Sequence, residues 1–204
     1  YALEIPASKK VIDVRELSTL TSFDEFMTYI KATPYYSALR SFANDPARQK
    51  LFYLEVALDT YWAKLIVRYA KKYLSSEDAK LAMKIYGTEI DLNNLAFLLR
   101  CKRNFQMTPE EIYACIIPKY YRLTQATVSN IVNSVSYDSA LDIIAQETPY
   151  GNAFHRDDRF LEKRVSNYLC HLNRQIFATH PYSIQAPITY IHLRHAEISN
   201  IVSI

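Results

Sequence analysis

The scarcity of glycine constrains the fold of this chain more than any other feature. Only 2 of its 204 residues are Gly, whereas average usage would give roughly 14. Gly87 and Gly151 are far apart in the sequence, so no glycine-rich loop is present to bind a phosphate or a dinucleotide. Turn-rich β architectures also depend on glycine for positive φ. The sequence therefore predicts an all-α protein.

Capped amphipathic segments support this prediction. Ser22–Glu25 has the pattern of a capping box, and Thr33-Pro34 ends the apolar periodicity that follows it. A second capping box begins at Thr108, and residues 48–74 carry one long apolar stripe. No segment alternates between apolar and polar residues over a strand's length. We predict roughly eight to ten helices and little or no sheet.

Apolar runs and cysteines narrow the class of protein further. The longest apolar runs have about five residues, against roughly 20 for a membrane span, so no span is predicted. Three cysteines without a CxxC spacing, Cys101, Cys115 and Cys170, indicate a reducing compartment rather than a disulfide framework or a zinc knuckle. Because the sequence begins at Tyr1 rather than Met, we expect it to be a segment of a longer protein.

The charge distribution leaves two interpretations open. The net charge is +3, and residues 61–125 carry 11 basic and 6 acidic side chains. A solvated helix face is the simpler explanation, and an anionic partner is the alternative. A nucleic-acid surface would use five cations and three interleaved rings: Arg100, Lys102, Arg103, Lys119, Arg122, Tyr113, Tyr120 and Tyr121. The small excess of charge favours a protein without a nucleic-acid partner.

The histidines give little support for an enzyme. His192 and His195 would share one helix face and could supply two zinc ligands, but no third ligand follows at a recognised spacing. Cys170 and His171 are adjacent, so on a helix they would point about 100° apart and could not form a nucleophile–base pair. We therefore predict no catalytic site, no metal, no cofactor and no small-molecule substrate.

Three blocks of residues recur in the same order along the chain. Thr33-Pro34-Tyr35 recurs as Thr148-Pro149-Tyr150. In the second block, Leu54, Glu55, Leu58, Trp62, Leu65 and Tyr69 match Leu161, Glu162, Val165, Leu169, Leu172 and Ile176. In the third, Ile85, Asp91, Leu92, Asn94 and Leu95 match Ile191, Glu197, Ile198, Asn200 and Ile201. The offsets of about 105–115 residues predict a duplicated helical module, with residues 1–125 as one copy and residues 126–204 as the other.

The paired acid and asparagine have a physical consequence. At 100° per residue, Asp91 falls inside the apolar arc of its helix and Asn94 falls at the edge of that arc. A carboxylate in that position needs a partner or a wet cavity, because unpaired burial is costly. Either it ties its helix to a neighbouring element, which is the simpler interpretation, or it lines a polar concavity that receives a partner.

Several segments resemble one known family. Tyr86–Arg100 is similar to a Glu-Ile-Asp-Leu-x-Asn signature of the C/d subunit family of the rotary V-type and archaeal-type ATPases. Thr108–Ile112, Ile117-Pro118, Glu147–Gly151 and Tyr190–Ile201 are similar to other segments of that family, in the same order. The resemblance implies a funnel built from three related helical modules, of which this chain is similar to the middle and last.

The resemblance also implies a function. Such a protein would be a non-catalytic central-stalk subunit, peripheral on the cytoplasmic face of the membrane. It would bind the central-shaft subunits and the membrane rotor ring, and act as the socket that couples them. The residues expected at partner contacts are Asp91, Asn94, Arg100, Thr148, Pro149, Tyr150, Glu197 and Asn200. The alternative function is a helical-repeat scaffold for another protein assembly.

Overall fold

In the computed structural model, helices account for the fold of the described residues. The structure describes residues 12–43, 51–104, 107–157 and 160–202, and no strand occurs among them. The helices are α1 (Val14–Thr19), α2 (Phe23–Ile30), α3 (Tyr36–Leu39), α4 (Leu51–Tyr73), α5 (Ser76–Asn104), α6 (Pro109–Cys115), α7 (Gln125–Asn133), α8 (Tyr137–Glu147), α9 (Leu161–Thr179) and α10 (Gln185–Val202). A short 3₁₀ helix, Arg40–Phe42, follows α3. The predicted all-α class is confirmed.

Side-chain caps begin the helices where the sequence patterns predict. The Ser22 hydroxyl accepts a hydrogen bond from the Glu25 amide at 3.2 Å. At α6 the capping box is complete, because the Thr108 hydroxyl accepts from the Glu111 amide and the Glu111 carboxylate accepts from the Thr108 amide. The long helix predicted from residue 48 is α4, and residues 48–50 lie outside the described part. No described helix combines the length and the apolar content that crossing a membrane requires.

The chain divides into two compact units, Tyr1–Trp62 and Ala63–Ile204. In the first unit, α2, α3 and the 3₁₀ helix enclose a small core of four buried side chains, Met27, Ile30, Leu39 and Phe42. The amphipathic start of α4 covers this core through Leu54, Ala57 and Leu58. Burying these apolar side chains supplies the main stabilisation of a unit this small.

The second unit is built around α5. This helix packs against α8 and α9, and α9 packs against α10. Its buried face contributes Leu92, Leu95, Leu98 and Leu99 to a core that also includes Val128, Ile131, Ile144 and Phe154. α5 shares a compact unit with α6–α10, and the modules 1–125 and 126–204 stay a prediction. The order α2, turn, α4, α5 is the same as α8, turn, α9, α10, and the duplication itself stays a prediction.

Two of the three free cysteines are buried. Cys101 and Cys115 lie inside the second unit, whereas Cys170 is partly exposed. Burial raises the pKa of the Cys101 thiol from its ordinary value of 9.0 to about 11, and the neighbouring Cys115 acts in the same direction. Burial also raises the pKa of Cys115. These thiols therefore stay protonated and apolar at neutral pH.

We expect iodoacetamide to alkylate Cys170 well before Cys101 in the folded protein, because the thiolate is the nucleophile and needs access. Peptide mass spectrometry after timed labelling measures the order, and labelling in denaturant provides the control in which all three react. Equal labelling of Cys101 and Cys170 under native conditions would contradict this expectation.

The raised pKa of Cys101 also makes stability depend on pH. Because the folded pKa of Cys101 lies above the unfolded value, its contribution to the free energy of unfolding is present below pH 9.0 and is lost as the pH rises toward about 11.

Candidate functional site

The carboxylate of Asp91 is the centre of the most connected polar cluster in the described structure. Asp91 lies on α5 and is fully buried. Its Oδ1 accepts a hydrogen bond from the amide of Tyr121 at 2.9 Å. Its Oδ2 accepts from the amides of Arg122 at 2.6 Å and Leu123 at 3.2 Å, and from the hydroxyl of Tyr150 at 2.8 Å. We call these five residues the Asp91 cluster.

The loop between α6 and α7 explains why an acid occupies this position. Residues 121–123 belong to neither helix, so their consecutive amides have no helical or strand partner. A buried amide without a hydrogen bond costs about 1–3 kcal/mol, and a carboxylate can accept from several donors at once. The Asp91 carboxylate therefore accepts the hydrogen bonds of the loop amides, and these hydrogen bonds offset the free-energy cost of burying the carboxylate.

Asn94, one helical turn beyond Asp91, holds the other end of the same loop. Its Nδ2 donates to the carbonyl of Ile117 at 3.0 Å, and its Oδ1 accepts from the Ile117 amide at 2.9 Å. Asn94 is 3% exposed and Asp91 is 0% exposed. Both side chains thus tie α5 to the neighbouring loop, which is the first of the two interpretations that the sequence left open.

Gly87, one turn before Asp91, allows the loop to lie this close to α5. A Cβ atom at position 87 would be 2.6 Å from both Cβ and Cγ of Tyr121. These atoms are near the loop backbone, so they could move aside only if the loop moved. Glycine inside a helix costs about 0.5–1 kcal/mol relative to alanine, and here the close approach of Tyr121 explains its presence.

The Thr148-Pro149-Tyr150 turn delivers the fourth donor to Asp91. At the end of α8 the Thr148 hydroxyl donates to the Ile144 carbonyl at 2.7 Å and accepts from the Tyr150 amide at 3.1 Å. This turn points the Tyr150 ring into the core, where it is 2% exposed and packs edge-on against Tyr168. Burial, and then the adjacent Asp91, raise the pKa of Tyr150 well above its ordinary value, so the hydroxyl remains a donor.

The other predicted contact residues lie apart from this cluster. Arg100, near the end of α5, forms an ion pair with Glu162 on α9 at 2.9 Å, and its side chain is 42% exposed. Pro149 is exposed at the turn, and Glu197 is exposed on α10, where it pairs with Arg194. The side chain of Asn200 lies outside the described residues. Partner binding by any of the eight residues stays a prediction.

Two of the cations considered for a nucleic-acid surface have roles within the fold. The Lys102 ammonium donates to the carbonyls of Val132 and Ser134, each at 2.7 Å, and so caps the end of α7. Burial lowers the pKa of Lys102. Arg103 stacks over the Tyr137 ring, with its guanidinium carbon 3.9 Å from the ring centre. These contacts are typical of structural roles for basic side chains.

The histidine pair also lies in an ordinary environment. His192 is half-buried on α10, with its ring edge-on to Tyr86 at 5.6 Å between centroids. Burial lowers the pKa of His192, and His195 acts in the same direction. Within the described ranges, no three or more His, Cys, Asp and Glu side chains are grouped so that they could hold a metal ion.

Comparisons with known proteins identify similar chains in archaea. The family model described as "ATP synthase (C/AC39) subunit" matches residues 2–204. The chain is 22% identical to the A-type ATP synthase C subunit of Methanosphaera stadtmanae over 98% of the chain and 54% of that protein. It is 26% identical to the protein of the same name in Methanosarcina barkeri, over 91% of the chain and 51% of that protein. It is 24% identical to the protein of the same name in Archaeoglobus fulgidus, over 97% of the chain and 56% of that protein.

The chain thus spans about half the length of the curated relatives it matches. No solved structure matches it. The family match agrees with the resemblance carried by Tyr86–Arg100, and that part of the sequence interpretation is confirmed.

Replacing Asp91 with Asn should lower the free energy of unfolding by about 2–4 kcal/mol, because an amide presents an NH₂ group to donors that need an acceptor. Denaturant unfolding followed by circular dichroism measures the change. The matched control is Glu197→Gln, at the position equivalent to Asp91 in the predicted repeat. This substitution should change the free energy of unfolding by less than about 0.5 kcal/mol, because Glu197 forms only an exposed ion pair with Arg194. Equal effects of the two substitutions would show that the Asp91 cluster does not stabilise the fold.

Gly87→Ala should destabilise the protein by about 1–3 kcal/mol, although Gly→Ala inside a helix ordinarily stabilises it. The physical reason is the 2.6 Å approach of Tyr121 to the new methyl group. In a Tyr121→Gly background, which removes the obstructing Cβ, the same Gly87→Ala substitution should become stabilising. The four unfolding free energies of this double-mutant cycle provide the measurement, and additive effects would contradict the steric explanation.

Proposed function

The chain belongs to the ATP synthase (C/AC39) subunit family, and from this membership we propose that it acts as a non-catalytic central-stalk subunit of a rotary ATPase of the archaeal or V type. In this role it forms the socket that couples the rotor shaft to the ion-translocating membrane ring. It works as a peripheral protein on the cytoplasmic face of the membrane. Its partners are the central-shaft subunits and the rotor ring.

The observation that carries this proposal is the family match over nearly the whole chain. The three relatives from Methanosphaera, Methanosarcina and Archaeoglobus are all named as the C subunit of an A-type ATP synthase. Their names describe a subunit of a larger machine, which is the basis for proposing partner subunits here.

The chemistry of the Asp91 cluster supports a mechanical role. The four hydrogen bonds to Asp91 join α5, the loop at residues 121–123 and the turn after α8. A subunit that transmits torque needs elements that do not slide past one another under load. Buried charge-assisted hydrogen bonds supply such stiffness, because breaking one leaves a buried group unsatisfied.

The predicted contact residues divide into two groups under this proposal. Arg100, Pro149 and Glu197 have exposed atoms and are the proposed contacts to the shaft or the ring. The buried residues Asp91, Asn94 and Tyr150, with Thr148 beside them, support that surface from within. Asn200 remains a proposed contact on α10.

Co-elution with the central-shaft subunits of the same organism tests the function. We expect a stable complex in size-exclusion chromatography, and we expect Arg100→Glu to weaken it because the substitution reverses an exposed charge at a proposed contact. The matched control is Arg174→Glu on the exposed face of α9. The affinity should fall by about tenfold or more for Arg100→Glu and should be unchanged for Arg174→Glu.

Two outcomes would contradict parts of the proposal. If the folded protein forms no complex with the shaft, the helical-repeat scaffold for another assembly becomes the better interpretation. If the complex forms but Arg100→Glu and Arg174→Glu bind equally well, the function stands and Arg100 is not a contact.

A further inference from the structure

The loop between α6 and α7 is attached to α5 at two separate points. At the start of the loop, the Asn94 side chain donates to the carbonyl of Ile117 and accepts from its amide. Toward the end of the loop, the Asp91 carboxylate accepts from the amides of residues 121–123. We call residues 117–123 the anchored loop.

Three positions on one face of α5 act on this loop. Gly87, Asp91 and Asn94 are spaced by four and three residues, so they lie one above another along the helix. Gly87 leaves room for the Tyr121 side chain, whose Cβ would be 2.6 Å from a Cβ atom at position 87. The conformation of the anchored loop is therefore fixed by α5, in addition to the two helices that the loop connects.

The part of the loop that α5 holds in place is exposed to solvent. Pro118, Lys119 and Arg122 are exposed, and the rings of Tyr120 and Tyr121 are half-buried. Water is an alternative partner for the amide of an exposed residue such as Arg122, whereas the hydrogen bond to a buried carboxylate also fixes the position of that amide. The attachment to α5 thus presents an exposed segment in one conformation.

The exposed segment is basic. Residues 112–137 contain two cations, Lys119 and Arg122, and no Asp or Glu. Neither cation forms an ion pair within the part of the chain that the structure describes. The Arg122 guanidinium carbon lies 5.2 Å from the centre of the Tyr121 ring, so a cation and an aromatic ring are presented together. Two fixed positive charges of this kind are complementary to an acidic surface.

We propose that the anchored loop binds an acidic surface of the central shaft, with Lys119 and Arg122 paired with carboxylates of the shaft and the Tyr121 ring packed beside them. This inference rests on the proposed function, because it names a part of the subunit that the shaft contacts. Arg and Tyr are enriched among the residues that dominate binding at protein interfaces. Because the loop is fixed before binding, the complex does not lose the conformational entropy that ordering a mobile loop would cost.

The affinity of the full-length protein for the purified central-shaft subunits of the same organism tests the inference. Lys119→Glu and Arg122→Glu should each weaken binding by about tenfold or more, because each places an acid against an acidic surface. The matched control is Arg174→Glu, which makes the same change of charge on the exposed face of α9 and should bind like the wild type. Added salt should weaken the wild-type complex more than the complexes of the two loop variants.

Asn94→Ala tests whether the attachment of the loop contributes to binding. The substitution removes both hydrogen bonds to Ile117 and changes no charge. We expect the affinity for the shaft to fall by about threefold or more, because the loop must then be ordered on binding. Trypsin should also cleave after Lys119 or Arg122 faster than in the wild type. An unchanged affinity in the folded variant would show that the attachment serves the fold alone, and would contradict the role proposed for it.

The results separate a failure of this inference from a failure of the proposed function. If the wild-type protein forms no complex with the shaft, both fail. If the complex forms and the two loop variants bind as tightly as Arg174→Glu, the function stands and the loop is not a contact. If the loop variants lose binding to the rotor ring and keep their affinity for the shaft, the loop contacts the ring and the inference is wrong.

Lysine acetylation followed by peptide mass spectrometry provides an independent measurement. In the free full-length protein Lys119 should react readily, and binding of the shaft should protect it. Lys163 on α9 is exposed as well and should react equally with and without the shaft. A Lys119 side chain that does not react in the free protein would show that another part of the same protein covers the loop, which overturns the inference.

Discussion

The second unit depends on one buried carboxylate. Asp91 accepts four hydrogen bonds from groups that lie about 30 and 59 residues further along the chain. Without this acceptor, the amides of residues 121–123 would lose their hydrogen-bond partner, and the buried Tyr150 hydroxyl would lose its own. The loop, the end of α8 and the central helix therefore meet at one buried carboxylate beside the apolar core.

Side-chain patterns predicted the helices and the position of the acid. The capping residues Ser22 and Thr108 and the glycine count were sufficient for the all-α class, because caps and helical periodicity are local properties of the sequence. The apolar arc around Asp91 likewise predicted that its carboxylate would need a partner. Apolar periodicity predicts the buried face of a helix wherever the apolar stripe of that helix is the face that packs against the core.

The partners of Asp91 could not be predicted in the same way. Three of its four donors are backbone amides, which every residue but proline possesses, so no side-chain type marks them. Gly87 was the available signal, because a glycine within a helix indicates a close approach of another element. The division into compact units could not be predicted either, since α5 belongs to the predicted module 1–125 but packs against α8 and α9 of the predicted module 126–204.

The link between Asp91 and Tyr150 has a consequence for biosynthesis. A ribosome delivers the residues in order, so α5 leaves the exit tunnel well before the turn that contains Tyr150. During that interval the Asp91 carboxylate can accept hydrogen bonds only from the loop amides. The apolar face of α5 has no α8 or α9 to cover it. The nascent chain therefore completes this unit only after Tyr150 and α9 have emerged, and until then α5 is exposed to chaperones and proteases.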